Sequence, residues 1–299
     1  MTNRILSNVP LFIGLIGLGL LMSSCEDVID VEIDGQGGDI VVDAWINNLD
    51  EPQRIIVQRS QTYFDSLQPP GVLNAQVRVL RSDGEILEFA HEGNGSYVWL
   101  PSADRTLGQV GQEFDLEITV DGVMITSSTM MNRVPPIDSL FFEFRENEAL
   151  SDDGLYAQFF ARDPSGLGDA YWIKTYQDSV YKGSPEQLNL AYDAGFDAGT
   201  GVDGVIFITP IRESLNNDAD GLPAPWEEGQ HIRVELHSIS TDAFTFFEIT
   251  REQVTNGNNG IFALPLANTP SNLNASDGGG VLGFFNVAAV SSAEAIAGS

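Results

Sequence analysis

Ala75, Val77 and Val79 alternate with Gln76 and Arg78, and this two-residue rhythm recurs along the chain from residue 39 onward. Period-two alternation puts successive side chains on opposite faces of a strand, so it predicts half-buried sheets. The pattern predicts strands over residues 40–46, 54–59, 75–80, 86–89, 96–100, 114–120 and 123–129. Turn residues separate them: Asn47-Asn48, Ser82-Asp83-Gly84, Gly93-Asn94-Gly95 and Asp121-Gly122. Seven short strands with regular turns predict an Ig-like or prealbumin-like sandwich over residues 39–133.

Val134-Pro135-Pro136 reads as a domain boundary, because two prolines stiffen the chain and stop a strand. Beyond it a second β-rich domain is expected over residues 137–290. Its strands are predicted where Leu140, Phe142 and Phe144 alternate, and over residues 155–162, 170–176, 205–209, 231–240 and 281–290. In the fifth of these segments Ile232, Val234 and Leu236 are expected to face the core, with His231, Arg233, Glu235 and His237 outward. Residues 181–202 lack periodicity and read as a long irregular excursion. One helix is predicted over residues 241–254, capped by Ser240 or Thr241 and striped by Phe244, Phe247, Ile249 and Val254. Residues 291–299 read as a frayed tail. The expected fold class is therefore mainly all-β with one helix.

The first 38 residues follow another logic. Arg4, an apolar run from Leu11 to Met22, and then Ser23-Ser24-Cys25 make a secretory signal over residues 1–24. The run is too short for a transmembrane helix, which needs ~20 apolar residues. Leu21-Met22-Ser23-Ser24-Cys25 resembles a bacterial lipobox, with Met22 departing from the usual leucine. Cys25 is the only cysteine, so it is the expected lipid attachment site; an unpaired exposed thiol is the other reading. Two or more acyl chains hold a protein stably on a membrane without spanning it. Residues 25–38 carry Glu26, Asp27, Asp30, Glu32 and Asp34 and several glycines. They read as an acidic tether; alternatively they resemble the export address that follows the cysteine in some bacterial surface lipoproteins, which implies the outer face of the membrane.

Charge narrows the partners. Without residues 1–24 the chain holds 13 basic and 43 acidic side chains, a net −30. Such a surface repels phosphates, so no nucleic acid partner is expected. With 42% hydrophobic residues the chain builds a core and is no acidic disordered tail.

Four stretches then fall in a familiar order. They are Cys25-Glu26-Asp27-Val28-Ile29-Asp30, Val41-Val42-Asp43-Ala44-Trp45-Ile46, Val134-Pro135-Pro136-Ile137-Asp138-Ser139-Leu140, and Pro270-Ser271-Asn272-Leu273 with Gly280-Val281-Leu282-Gly283-Phe284-Phe285. Together they resemble the Bacteroidota lipoprotein family filed as domain of unknown function 4249, over nearly all of the mature chain. The resemblance implies a cell-envelope protein often encoded beside TonB-dependent outer-membrane receptors. It supplies no catalytic or binding residue beyond Cys25.

Candidate chemistry is sparse. Gly199-Thr200-Gly201-Val202-Asp203-Gly204 matches a dinucleotide fingerprint as a string, but the apolar run after it reads as a strand where the motif needs a helix. Asn216, Asp218, Asp220 and Glu227 have the spacing of a calcium loop, with Gly221 at its turn. Asn216 in the first position, with Pro223 and Pro225 behind, also fits a plain acidic turn before Trp226. Glu235 and His237 share one strand face beside Arg233, as metal ligands or as a solvated surface. Tyr171, Trp172, Tyr176 and Tyr181 read as core or as a carbohydrate platform. No nucleophile–base pairing is visible, and no Gly-x-Ser-x-Gly, His-Glu-x-x-His or phosphate loop appears. The expectation is a non-enzymatic outer-membrane lipoprotein, on either membrane face, that acts as accessory or binding partner of a TonB-dependent transporter. The alternative is a surface module that binds peptide or glycan.

Overall fold

The computed structural model describes residues 38–61, 68–147, 151–199, 201–256 and 269–298. Cys25, the signal over residues 1–24 and the tether up to residue 37 lie outside the described residues. The chain is mainly β, as the alternation predicts. In chain order the strands are β1 Ile40–Asn47, β2 Gln53–Arg59, β3 Gln76–Arg81, β4 Ile86–Gly93, β5 Ser96–Trp99, β6 Glu113–Val120 and β7 Val123–Met130. Next come β8 Ile137–Arg145, β9 Gly154–Ala161, β10 Ala170–Gln177, β11 Val180–Tyr181 and β12 Asn189–Tyr192. A short helix α1 Thr209–Glu213 precedes β13 His231–Ile239, and a long helix α2 Thr241–Asn256 follows it. The strands β14 Asn274–Ala275, β15 Val281–Ala288 and β16 Val290–Ile296 end the chain. Among the described residues no helix is long and apolar enough to cross a membrane.

The first seven strands join β14 and β15 in one nine-stranded sheet, ordered β14-β7-β6-β3-β4-β5-β2-β1-β15. β4 belongs to both halves of this sheet: Leu87 and Phe89 sit in register with β3, while Ala90 to Gly93 pair with β5. The two ends of the sheet are stitched together by the side chains of Ser271 and Asn272. Ser271 donates its hydroxyl to Gly283 O at 2.8 Å. Asn272, just before β14, donates its Nδ2–H to Phe285 O at 2.8 Å and accepts from Phe285 N at 2.9 Å. A carboxamide presents the same donor and acceptor as a peptide group, so it completes the free edge of β15 as a neighbouring strand would. The enclosed core holds Val42, Ile55, Val79, Leu87, Leu116 and Phe285, all fully buried.

The second-domain strand expected over residues 281–290 lies instead in this first sheet. β15 runs parallel to β1, with Ile40 opposite Val281 and Asn47 opposite Ala288. The division at residues 134–136 thus separates two sheets along the chain only until it returns near residue 273. Gly283 is required there: its φ is +101°, and a Cβ would stand 1.9 Å from Val42 O.

The second sheet has the order β11-β10-β13-β16, with β12 also on β10, and β8–β9 form a separate hairpin. Two expectations change here. Residues 291–296 are a strand, β16, paired along β13 from His231–Ile296 to His237–Val290. Small residues (Ser291, Ser292, Ala293, Ala295) hide the strand from a propensity reading. Residues 205–209 form only a single bridge, Ile206 to Arg162, and the chain then turns into α1 with Pro210 in its first turn. Proline suits that position because its missing N–H would be unbonded anyway.

A second core gathers Phe159, Tyr171, Phe207, Ile211, Trp226 and Val234. A third lies beneath α2, where Trp45 of β1 stacks on Phe247 at 4.4 Å and on Phe284 at 5.5 Å. β1 therefore buries both faces, Val42, Ala44 and Ile46 into the first core and Trp45 against the helix. The helix starts as expected, with Ser240 Oγ accepting the N–H of Ala243.

Candidate functional site

Asn216 ends a single 3-10 turn, Ser214–Asn216, directly after α1. It is almost fully buried. Its Oδ1 accepts from Ala157 N at 2.8 Å and from the indole N–H of Trp226 at 2.9 Å. Its Nδ2 donates to Ala157 O at 3.0 Å and to Glu213 O at 2.7 Å. One carboxamide thus ties β9, α1 and the Trp226 segment together with all four of its hydrogen bonds used.

Three clefts open around this residue and its neighbours. The largest, about 570 Å³, lies among Arg145, Tyr156, Thr209, Glu213, Asn217 and Pro223. Its wall is fixed by a two-pronged ion pair, Arg145 to Glu213 at 3.1 and 2.9 Å, with the guanidinium also over the Tyr156 ring. A second, about 450 Å³, runs past Tyr181, Lys182, Asp218, Trp226 and Gln230. Lys182 caps it, donating to Leu215 O at 2.9 Å, and burial brings its pKa down to about 8. The third, about 320 Å³, lies between α2 and residues 186–197. The first and third share Ser214 and Asn217, the second and third share Gln187, and the first and second share Asn216. Carboxamides, carboxylates, cations and aromatic rings line all three, which is the equipment of recognition.

The four residues with calcium-loop spacing are not brought together. Asn216 turns inward and is consumed as described, while Asp220 and Glu227 are exposed. Asp218 Oδ1 accepts from Asp220 N and Leu222 N, both at 2.9 Å, and so makes a turn.

Glu235 and His237 are not on a solvated face. Their side chains are 3% and 4% exposed, because the outward side of β13 is covered. His237 Nε2 lies 2.9 Å from Glu235, Arg233 adds a contact at 2.8 Å, and Tyr176 donates at 3.2 Å. Burial holds His237 down to about 4, so it is neutral near pH 7 and carries its proton on Nε2, facing the carboxylate. Burial pushes Glu235 up, but the His237 bond and the charges of Arg233 and Lys174 bring it below its ordinary value. Lys174 stands 4.0 Å over the Trp172 ring, and burial lowers it to about 8.

The aromatic platform dissolves in the same way. Tyr171 is fully buried, Trp172 packs between Lys174 and the α2 aromatics, and Tyr176 lies under Arg233 at 4.1 Å. Tyr181 alone of the four is 38% exposed.

One cluster escaped the sequence reading. Asp163, Asp169 and Asp193 bring carboxylate oxygens within 4.8 Å of one another. The protein supplies its own cation there. Arg133 binds Asp169 through Nε and Nη2, and its Nη2 also donates to the carbonyls of Pro164, Ser165 and Gly166 at 3.2, 3.0 and 2.9 Å. Asp163 accepts the Tyr171 hydroxyl at 2.7 Å and the N–H of Gly204 at 3.1 Å. Asp193 accepts two N–H groups, of Gly168 and Asp169. Burial pushes the Asp163 carboxyl up, and burial with the Asp163 bond pushes Tyr171 up. The only trace of this in the sequence is the run Asp163-Pro164-Ser165-Gly166-Leu167-Gly168-Asp169, whose residue types also fit a plain turn.

Two comparisons with known proteins bear on the chain. The profile of one family, described as domain of unknown function (DUF4249), matches residues 26–294. No curated protein matches.

Proposed function

The chain belongs to this family, and from that premise we propose that it is a lipid-anchored binding protein of the outer membrane, serving as accessory or partner of a TonB-dependent transporter. Cys25 is its anchor in this reading, carrying the acyl chains that hold the folded part at the membrane. The family resemblance contributes the expectation of a receptor encoded nearby. The observation that carries the reading is the set of three clefts around residues 214–217, which offers hydrogen-bonding and aromatic surface on a rigid support.

His237, lowered by burial, is locked away against Glu235, whereas Lys182, also lowered by burial, stands in the second cleft, where its ammonium can serve recognition. A peptide- or glycan-binding surface module remains the second reading, and the half-exposed Phe196 beside the third cleft favours it. Recovery of the tagged, full-length protein from its native outer membrane tests the first reading. A TonB-dependent receptor in near-equal amount is expected.

A further inference from the structure

The third cleft has one wall built by α2. Phe244, Glu248 and Arg251 stand at i, i+4 and i+7, so one helical stripe presents an apolar floor, a carboxylate and a guanidinium in sequence. Phe244 and Leu190 are both 5% exposed and make the dry base. Across from the helix, Glu186 and Asp197 add two more carboxylates. Phe196 is 46% exposed at the same cleft. Arg251 is drawn toward the wall, its Nη1 donating to Leu188 O at 3.4 Å.

Three carboxylates therefore face one guanidinium, inside a chain of net charge −29. An anionic ligand is repelled by both the cleft and the whole surface. A cation is favoured by both, and an exposed phenyl face beside carboxylates offers it a cation–π contact as well. The volume of about 320 Å³ suits one long side chain better than a folded element. Burial, with the neighbouring charges of Asp197 and Glu252, holds the Glu248 carboxyl above its ordinary value even though Arg251 pulls it down, so an incoming cation is still favoured there.

We propose that this cleft receives an arginine or lysine side chain presented by a basic segment of a partner polypeptide. The proposal rests on the partner reading above and names the chemistry of the contact. Charge complementarity selects the polypeptide's basic side chain, Phe196 stacks on it, and Glu248 pairs with it.

Titration calorimetry on the full-length protein in detergent tests this, with the peptide Gly-Arg-Gly-Arg-Gly-Arg as probe. Phe196→Ala and Glu248→Gln are each expected to weaken binding about tenfold. Asp138→Asn removes the same charge from an exposed position on β8 and is expected to leave binding unchanged. The citrulline version of the peptide is expected not to bind. Equal losses for Glu248→Gln and Asp138→Asn would show diffuse attraction and overturn the proposal. So would no binding of the arginine peptide, or binding of free spermidine as tight as that of the peptide. A receptor that still co-purifies with Phe196→Ala and Glu248→Gln protein overturns this contact and leaves the partner reading standing. Absence of any receptor with wild-type protein, while the peptide still binds, fails the partner reading alone.

Discussion

Trp226 donates its indole N–H to Asn216 Oδ1 over 2.9 Å, and the same oxygen holds the backbone N–H of Ala157 at 2.8 Å. The pair fixes the wall between the first and second clefts, because it locks the residues after α1 onto β9. Asn216→Ala leaves both donors buried without a partner, a cost of about 1–3 kcal/mol for each. A total loss of roughly 3 kcal/mol is expected in urea unfolding, with little change in m. A loss below about 0.5 kcal/mol would show that Asn216 is not the hub.

Acid should weaken the fold through His237. The folded chain holds this ring at about 4, against an ordinary value of 6.5. Between those values the unfolded chain binds the proton more readily, so stability is present above the ordinary value and is lost as pH falls toward the folded one. The shift corresponds to roughly 3 kcal/mol. Glu235 acts in the same direction, since its folded pKa is lowered and its contribution also disappears in acid. His237→Gln is expected to be less stable at pH 7, with its deficit narrowing steadily from pH 6.5 down to 4. Urea midpoints measured across that range settle it; a constant deficit contradicts the burial of a neutral ring.

Much of this architecture was legible, and particular residues explain the rest. β1, β3 and β6 alternate because one face of each meets the first core, so their side chains declare the strand. β13 looked like another half-exposed strand, yet Glu235 and His237 are covered by residues from elsewhere in the chain. No local pattern reports such a cover. The parallel pairing of Ile40 with Val281 spans nearly the whole chain and leaves no local mark. β16 was missed because alanine and serine carry little strand propensity; pairing with β13 overrides it. Asn216 was picked out by its spacing, but spacing does not show which way a side chain turns. The Arg133 cluster was invisible because its cation comes from a residue 30 or more positions before the carboxylates it serves.

Arg133→Met isolates three clustered carboxylates. Asp169 loses its paired cation, and Asp163 and Asp193 stay buried close by. The arginine side chain is 42% exposed, which discounts the full penalty for breaking a buried pair to about 2 kcal/mol. Thermal unfolding should show the corresponding drop in midpoint. Adding Asp169→Asn to Arg133→Met should restore part of it, because the uncompensated charge is then gone. An equal or greater loss in the double variant would contradict the charge argument.

Cys25→Ala is expected to release the protein from the membrane. Without acyl chains nothing in the described residues spans a bilayer with a helix. Fractionation of cells expressing the variant should move it from the membrane pellet to the soluble envelope fraction or the medium. Retention in the pellet after a carbonate wash would remove Cys25 as the anchor.

The most direct measurement is co-purification of the tagged wild-type protein from native outer membranes in mild detergent, with every recovered protein quantified. The account predicts a TonB-dependent receptor at close to one copy per copy of this chain, recovered again after a salt wash at moderate ionic strength. Recovery of the chain alone, under conditions where a known outer-membrane complex from the same cells stays intact, would contradict it.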